Sequence, residues 1–432
     1  MRWYYGWNVL ATAIVFQALL VGIVFYGFTV WGTPWIQEFH TGAEMVMRAN
    51  AGATLATGAL MLYAGRLMDR YSMRWIIICG TLLLAAGMVL VAFATAMWQI
   101  IALYTTLIAC GYAFSTTLAG QVLAARWFPR RVGFAVGMSL LGSSLGGIVM
   151  PPLLAFLLER YGWRDANLML AALVVVVVVP MVWFVVRMPR EGETGVTAPD
   201  MSASGAAATG GEEPWGFFEV LREPTFWIIG LACLGTTLAS YSFLTSIGPY
   251  SHDLGIDPQR MSLLIPILAI TGIAGRLVLG WMVDQVDPRI PYWIATAIMW
   301  GTLLLTLGTP SYGTLMLISG LIGLGAGGLL PVCCVMVGQK FGARSFSRVM
   351  GMATPFFSVS AAAGPWISAR IRDSLGSYTE AFHFRVAGLD LSVTAFGIYL
   401  WILPLAAILM YFLHKSAMTR RSPVVVQREA AA

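Results

Sequence analysis

GRLMDRYSMRW at residues 65–75 and GWMVDQVDPRI at residues 280–290 are two copies of one pattern, about half a chain apart. Each copy holds a glycine, an aspartate and an arginine at the same spacings: Gly65, Asp69 and Arg74 in the first, and Gly280, Asp284 and Arg289 in the second. The offset between the copies is 215 residues in a chain of 432.

A second repeat lies further along the chain. Gly137, Met138 and Pro151 recur at an offset of 214 residues as Gly351, Met352 and Pro365. Two unrelated landmarks at nearly one offset predict two copies of one multi-helix unit, with the same orientation in space. Parallel halves of this kind are typical of one large class of membrane transporters.

The composition predicts an all-α integral membrane protein. Hydrophobic residues make up 58% of the chain and charged residues 11%, against about 25% charged in a soluble domain. Long apolar stretches must be helical, because lipid offers no partner to an unpaired backbone amide. Twelve such stretches are found, at roughly 8–30, 46–67, 75–95, 99–124, 133–158, 166–187, 225–250, 260–283, 291–309, 313–338, 348–370 and 391–413. A large soluble protein would not contain so many long apolar stretches, and we exclude that class.

The predicted helices divide into two bundles of six. The first bundle occupies residues 1–187 and the second residues 225–413, followed by a cytoplasmic tail at 414–432. Between them, residues 188–224 contain TGVTAPDMSASGAAATGGEEP, a composition that is typical of a disordered linker. The linker is expected to be a plain tether, with a regulatory role as the alternative. Its last part, WGFFEVL at 215–221, is predicted to lie on the membrane surface as an amphipathic helix.

The basic residues predict the orientation. Of the 26 Lys and Arg residues, 18 fall on one side of the predicted spans, 7 on the other, and Arg276 lies within a span. The positive-inside rule therefore places both termini in the cytoplasm of a multi-pass protein, which we assign to a bacterial inner (plasma) membrane. The net charge of +6 is then a signal of topology and does not indicate nucleic-acid binding.

The two-bundle layout and the 65–75 loop resemble the major facilitator superfamily. The strings at 126–153, RWFPRRVGFAVGMSLLGSSLGGIVMPPL, and at 161–166, YGWRDA, resemble its monocarboxylate-porter branch and the bacterial oxalate/formate-exchanger relatives. GRLVLGW at 275–281 and PRIPYW at 288–293 fit the same branch. The resemblance covers essentially the whole membrane part and implies two parallel six-helix repeats.

The repeated loops predict a gate on the cytoplasmic side. A carboxylate between two helices can accept amide hydrogens at a helix N-terminus, and neighbouring arginines can pair with it or with helix C-termini. Such contacts form in one conformation and break in the other. The predicted gating residues are Gly65, Asp69, Arg70 and Arg74, with Gly280, Asp284 and Arg289 as a second copy. The alternative is that these charges only mark the membrane boundary.

Arg276 is the strongest candidate for substrate binding. It precedes Asp284 by eight residues, which places it ~12 Å inside the membrane at 1.5 Å per helical residue. A cation at that depth costs about 3 kcal/mol or more without compensation, and no acid falls within a predicted span. An arginine in this environment can hold a carboxylate through two parallel hydrogen bonds. A structural role is the alternative. The family resemblance implies the same function, since Arg276 matches the branch's substrate-binding arginine in the eighth helix.

The chain departs from the better-known carriers of the branch at two places and from the oxalate-exchanger relatives at a third. Gly272 stands where the better-known carriers have an acid four residues before the arginine, and Val30 where they have a lysine, although Tyr26 matches their tyrosine. The eleventh helix, MGMATPFFSVSAAAG at 350–364, lacks the lysine of the oxalate exchangers. One central cation suits one carboxylate better than two. Proton symport and anion exchange both remain open as coupling modes.

Three other polar residues lie well inside predicted helices: Tyr26, Gln121 and Tyr241. They are candidates for the wall of a central substrate cavity, with ordinary helix packing as the alternative for each.

The sequence thus predicts a secondary carrier that moves a small organic anion, most simply a monocarboxylate, by alternating access. The alternatives are an efflux carrier for amphipathic drugs or metabolites, and a membrane sensor that binds without transporting. No catalytic residues, metal site or cofactor are predicted, and the five cysteines are interpreted as apolar packing residues. The expected partners are the anion, protons and the lipid bilayer, and the expected state is a monomer.

Overall fold

The computed structural model describes residues 4–41, 43–189, 215–256, 263–306, 310–375, 382–386, 389–393 and 398–413. Most of the predicted linker (190–214) and the predicted tail (414–432) lie outside these residues.

The first half contains six membrane-length helical rods. α1 comprises Gly6–Val21, a π-helical turn at Gly22–Tyr26, and Phe28–Phe39. α2 is Ala43–Arg70 and α3 is Met73–Ala92. α4 comprises Met97–Leu103, a second π-helical turn at Tyr104–Ile108, Ala109–Ser115 and Thr117–Trp127. The helix Val132–Val185 divides at Gly162, whose φ of 74° ends α5 and begins α6.

The second half repeats this arrangement. The short helix Phe217–Arg222 precedes α7, Pro224–Asp253, and then follow α8, Leu264–Val283, and α9, Arg289–Leu304. The helix Tyr312–Leu375 divides at Gly342, with φ 73°, into α10 and α11. Strands β1, Phe382–Val386, and β2, Leu389–Val393, pair antiparallel, with Phe382 opposite Val393, and α12 is Tyr399–Tyr411.

Two predicted boundaries were wrong. α1 continues past residue 30 to Phe39, because Trp31 and Trp35 are both buried and extend its packed face. The last span does not begin at residue 391, because Leu389–Val393 is a strand. HFRVAGLDLSV at 383–393 alternates polar and apolar residues around Ala387 and Gly388, a pattern that favours a hairpin over a helix.

The twelve rods of the described chain differ in length and polarity. By length and apolar composition alone, seven described helical stretches can cross a membrane, and one of them, Val132–Val185, contains both α5 and α6. α9 and α12 are shorter, with 16 and 13 residues. The predicted fold, two parallel repeats of six helices, is confirmed.

The two halves meet closely along two helix crossings. At the α2–α11 crossing, a Cβ on Gly351 would lie 3.3 Å from the Cα of Gly65. At the α5–α8 crossing, a Cβ on Gly280 would lie 2.8 Å from the carbonyl oxygen of Gly133. The repeat relates α2 to α8 and α5 to α11, so the two crossings are equivalent by the internal symmetry.

Both described ends of the chain lie on the side of the bundle that carries Asp69 and Asp284, which we name the latch face. The Tyr5 hydroxyl donates to the carbonyl oxygen of Val185 at 2.9 Å, and Arg289 donates to that of Leu413 at 2.9 Å. An even number of spans requires this arrangement.

Candidate functional site

Arg276 lies in the middle of α8 and reaches across to the other half of the molecule. Its Nη1 donates to the hydroxyl of Ser144 and, at 3.2 Å, to the carbonyl oxygen of Leu140, both on α5. The backbone of Arg276 also lies close to α5, since a Cβ on Gly137 would lie 2.5 Å from the Arg276 carbonyl oxygen. The side chain and the backbone of Arg276 therefore both belong to the contact between the halves.

Two tyrosine side chains lie within electrostatic range of the Arg276 guanidinium: Tyr26 of α1 and Tyr241 of α7. Tyr26 ends the π-helical turn of α1, and its ring packs on Gly147 of α5. Gly147 is three residues beyond Ser144, so the phenol ring and the guanidinium lie about one turn apart along the same face of α5. Among the described residues, no carboxylate acts on Arg276.

The predicted site residues are therefore only partly brought together. Arg276, Tyr26 and Tyr241 converge, whereas Gln121 is buried in the middle of the last segment of α4. No described contact joins Gln121 to the other three. Tyr112 of α4 interacts electrostatically with Tyr26 and Tyr241, and it belongs to the same cluster.

On the latch face, Asp284 caps the N-terminus of α5. Its carboxylate accepts hydrogen bonds from the backbone amides of Gly133 at 2.8 Å and Phe134 at 2.9 Å. Burial raises the pKa of this carboxyl, while the two amide hydrogen bonds and the charge of Arg131 oppose the rise. The contact joins the second half of the molecule to the first.

Asp69 occupies the equivalent position on α2. Its carboxylate forms long ion pairs with Arg126 of α4, at 3.5 Å, and with Arg348 of α11, at 3.8 Å. Burial raises the pKa of Asp69 to about 6, and the Ser347 hydroxyl, Arg126 and Arg348 limit the rise. This contact joins the first half to the second.

The partners of the two aspartates are themselves related by the repeat. Gly133 and Phe134, which bind Asp284, correspond at the 214-residue offset to Ser347 and Arg348, which lie against Asp69. The latch face thus carries two symmetric contacts between the halves. The Asp284 contact is made by backbone amides, and the Asp69 contact adds side chains of Ser347 and Arg348 to the Arg348 backbone.

The predicted gating arginines have other partners. Arg74 donates from Nε to the carbonyl oxygen of Val186 at 2.8 Å, and Arg289 donates to Leu413 and pairs with Asp287 at 2.7 Å. Each therefore ties the third helix of its half to the end of the sixth helix of that half. Arg70 is exposed, with its guanidinium 5.7 Å from the ring of Tyr71.

The end of the linker packs on the latch face. The Trp215 amide donates to the Ser345 hydroxyl at 2.9 Å, and Arg348 donates to the Trp215 carbonyl oxygen at 2.6 Å. The guanidinium of Arg66, on α2, lies 4.1 Å from the ring of Phe217. This segment is thus held by both halves of the protein, a contact that the prediction of a membrane-surface helix did not anticipate.

Comparison with known families agrees with this architecture. The profile of the Major Facilitator Superfamily matches residues 14–292 and again residues 231–427. The chain belongs to the major facilitator superfamily.

Within the superfamily, the chain is similar to curated monocarboxylate transporters. It is 27% identical over 410 residues to monocarboxylate transporter 13 of Rattus norvegicus, an alignment that covers 90% of this chain and 89% of the relative. It is 25% identical to monocarboxylate transporter 11 of Mus musculus, covering 88% of this chain and 83% of that protein. The predicted resemblance to the monocarboxylate-porter branch is confirmed. These superfamily relatives are transporters rather than enzymes, and this chain is a multi-pass membrane transporter.

A solved structure of the superfamily shares the fold. The crystal structure of a variant of the E. coli fucose:proton symporter FucP matches with a TM-score of 0.71 at 12% identity, and the match covers 96% of this chain and 100% of that one. At this identity, the likeness concerns the fold alone.

Several residues of the site and the latches were missed by sequence reasoning. Ser144, Arg126 and Arg348 were not among the predicted substrate-binding or gating residues. The 214-residue repeat could have identified Arg348. It aligns Arg348 with Phe134, and each of these residues lies near the start of an equivalent helix.

Proposed function

We propose that this protein is a secondary carrier of small monocarboxylates, with Arg276 as the binding site of the substrate carboxylate. The observation that carries the proposal is the position of this guanidinium. It lies between the two halves, mid-helix, bonded to a hydroxyl and a carbonyl oxygen with no carboxylate acting on it in the described chain. The similarity to monocarboxylate transporters supports the same substrate class.

The chemistry of the site favours one carboxylate. A guanidinium presents five N–H donors in a plane and binds a carboxylate through two of them. Tyr26 and Tyr241 add phenol hydroxyls within range of the same charge, and Gln121 remains a proposed member of the cavity wall. A second carboxylate would need a second cation, so dicarboxylates fit less well.

Alternating access would use the two latches. Asp284 and Asp69, with Gly65 and Gly280 at the close crossings, hold the halves together on the latch face. Opening on that side requires both contacts to break. Arg74 and Arg289 keep each half rigid as it rotates. We place the latch face on the cytoplasmic side of a bacterial inner membrane. We propose a monomer as the working unit.

The coupling mode is part of the same proposal. Without an acid beside Arg276, the substrate's own proton or a counter-transported anion supplies charge balance, so proton symport and anion exchange are the two forms to be separated.

The test is uptake of labelled lactate, pyruvate, acetate and longer 2-oxo acids into proteoliposomes, with and without a pH gradient. We expect Arg276→Ala to reduce uptake by about tenfold or more, because a charged hydrogen bond contributes ~1.5–3 kcal/mol. Arg276→Lys should recover part of the lost uptake. Arg160→Ala removes an exposed arginine at the far end of α5 and serves as the matched control.

Four outcomes decide between the functions. Uptake that depends on Arg276 supports the proposal, and its response to the gradient identifies the coupling mode. Equal uptake by the wild type and Arg276→Ala overturns the site. If no acid is moved, export of amphipathic compounds becomes the leading function, and binding without any flux would indicate a sensor.

A further inference from the structure

The Arg276 guanidinium is bonded across the interface to Ser144 and Leu140 of α5. We infer that these two groups form a resting seat for Arg276, which the substrate carboxylate replaces, so that binding of the anion loosens the α5–α8 contact. The inference rests on the proposed function, because it assumes that Arg276 binds the anion. Ser144 is then a positioning residue that links occupancy of the site to opening of the gate.

The geometry of α5 supports this seat. Gly137, Leu140 and Ser144 are spaced by three and four residues, so they share one face of the helix. All three meet Arg276: Gly137 contacts its backbone, and Leu140 and Ser144 accept from its side chain. The Ser144 residue is only 8% exposed. Three residues on one face of α5 therefore contact a single residue of α8.

The hydrogen bonds of the seat to Arg276 are weaker than those that a substrate carboxylate would make in their place. A hydroxyl and a carbonyl oxygen are neutral acceptors, whereas a carboxylate makes charge-assisted bonds that are roughly twice as strong. A buried guanidinium left without acceptors would be costly, so the empty site benefits from the seat. An aspartate at position 144 would hold Arg276 too firmly, and a leucine would leave it unsatisfied.

The seat also depends on the conformation. α5 and α8 must be in contact for Ser144 to reach Arg276, and this contact continues toward the latch face through Gly133 and Gly280. The seat therefore stabilises the latched, empty protein and contributes nothing once the halves part. A ligand that removes a contact specific to one state shifts the population toward the other state.

The experiment measures opening of the latch face in the absence of any substrate. In a background without native cysteines, Val283→Cys places a thiol at a site that is 1% exposed and lies against Gly133. The rate of maleimide labelling in nanodiscs, where both faces are accessible, reports how often the crossing opens. Ser144→Ala is compared with Ser144→Thr, which keeps the hydroxyl, and with Ser319→Ala. Ser319 is a buried serine of α10 whose hydroxyl, within the described part of the chain, bonds its own helix at the Leu315 carbonyl oxygen.

We expect Ser144→Ala to raise the labelling rate by about tenfold, the effect of one hydrogen bond to a charged group. Ser144→Thr and Ser319→Ala should label at the wild-type rate. Adding pyruvate should accelerate the wild type but change Ser144→Ala less, because only the Leu140 part of the seat is left in that variant. Arg276→Ala, which removes both bonds of the seat, should label at least as fast as Ser144→Ala, with or without pyruvate.

Unchanged labelling in both Ser144→Ala and Arg276→Ala would overturn the seat, even if Arg276 proves essential for transport. Fast labelling of Ser144→Thr or Ser319→Ala would also overturn it, since the effect would then be a general loss of packing. If both alanine variants label quickly while no monocarboxylate is transported, the seat stands and the proposed substrate class is wrong.

Discussion

Asp284 of the second half accepts a hydrogen bond from the backbone amide of Gly133, at 2.8 Å. It thereby caps the N-terminus of α5, which follows the 128–131 loop of the first half. The side chain of one repeat thereby completes the helix end of the other. Because a carboxylate at a helix N-terminus satisfies free amides and interacts favourably with the helix dipole, this contact favours the closed state of the latch face.

Asp284→Ala should therefore open the latch face. Loss of an N-cap costs about 0.5–2 kcal/mol, so labelling of a Met61→Cys reporter, placed at the α2–α11 crossing, should rise by roughly twofold to thirtyfold. Asp287→Ala is the control, since Asp287 pairs with Arg289 of its own half. Equal labelling of Asp284→Ala and the wild type would mean that the cap does not hold the gate.

The closed state should be more stable at lower pH because of Asp69. Its pKa is raised to about 6 in the closed structure, against an ordinary value of 3.8 that it regains when exposed. Between these values the closed state binds more protons, so its stability increases as the pH falls through 6 and decreases as the pH rises. The charged groups that face Asp69 are Arg126 and Arg348.

Labelling of Met61→Cys, corrected for the reactivity of the thiol in a free peptide, should thus slow severalfold from pH 7 to pH 5. Asp69→Asn should lose most of this dependence. It should keep the weaker part contributed by Asp284, whose pKa burial also raises. The same pH profile in Asp69→Asn and the wild type would contradict the assignment.

Arg74→Ala and Arg289→Ala should weaken each half without opening the gate. Each arginine bonds a carbonyl oxygen at the end of its own half, Val186 or Leu413. Loss of a charged hydrogen bond costs ~1.5–3 kcal/mol, which should lower the melting temperature of the purified protein. Faster labelling of the Met61→Cys reporter would show instead that the arginines are part of the latch.

Gly272→Asp should make anion binding depend on pH. The new carboxylate would stand four residues before Arg276, on the same helix face, and would compete with the substrate for the guanidinium. Space exists, because a Cβ on Gly272 would lie 3.5 Å from its nearest neighbour, the carbonyl oxygen of Gly323. The KM for uptake should rise about tenfold at neutral pH and recover as the acid is protonated. Gly272→Asn, of equal shape and no charge, should show no recovery.

Phe217→Ala should loosen the linker from the first half. Its ring lies 4.1 Å from the guanidinium of Arg66, and an exposed cation–π contact contributes about 0.5–1 kcal/mol. Labelling of Met61→Cys should rise by roughly twofold to fivefold. Phe218→Ala is the matched control, because Phe218 is 72% exposed. A rise in both variants would indicate a general effect of the linker rather than this contact.

The centre of the candidate site could be predicted from the sequence, because it is a charged residue within an apolar membrane-spanning helix. Arg276 is conspicuous in an apolar helix without an acid nearby, whatever the neighbouring helices do. Its partners are not, since Ser144 and the Leu140 carbonyl oxygen are ordinary features of a membrane helix. Only the crossing of α5 and α8 brings them within reach.

The latches show the same division. The repeat predicted two equivalent aspartates, but each has partners from the opposite half of the chain: Gly133 and Phe134 for one, Arg348 for the other. Gln121 shows the limit of this reasoning, because the sequence places a buried polar residue inside a helix but does not show which way its side chain faces.

By itself the sequence determined the membrane class, the two six-helix repeats and the central cation, because lipid imposes apolar length and internal hydrogen bonding on each helix separately. The tertiary structure alone decided which helices cross, that Asp284 caps α5, and that the described end of the linker, from residue 215, packs on the latch face. Those contacts join residues from different helices. Their energies depend on packing between helices, which no local pattern along the chain records.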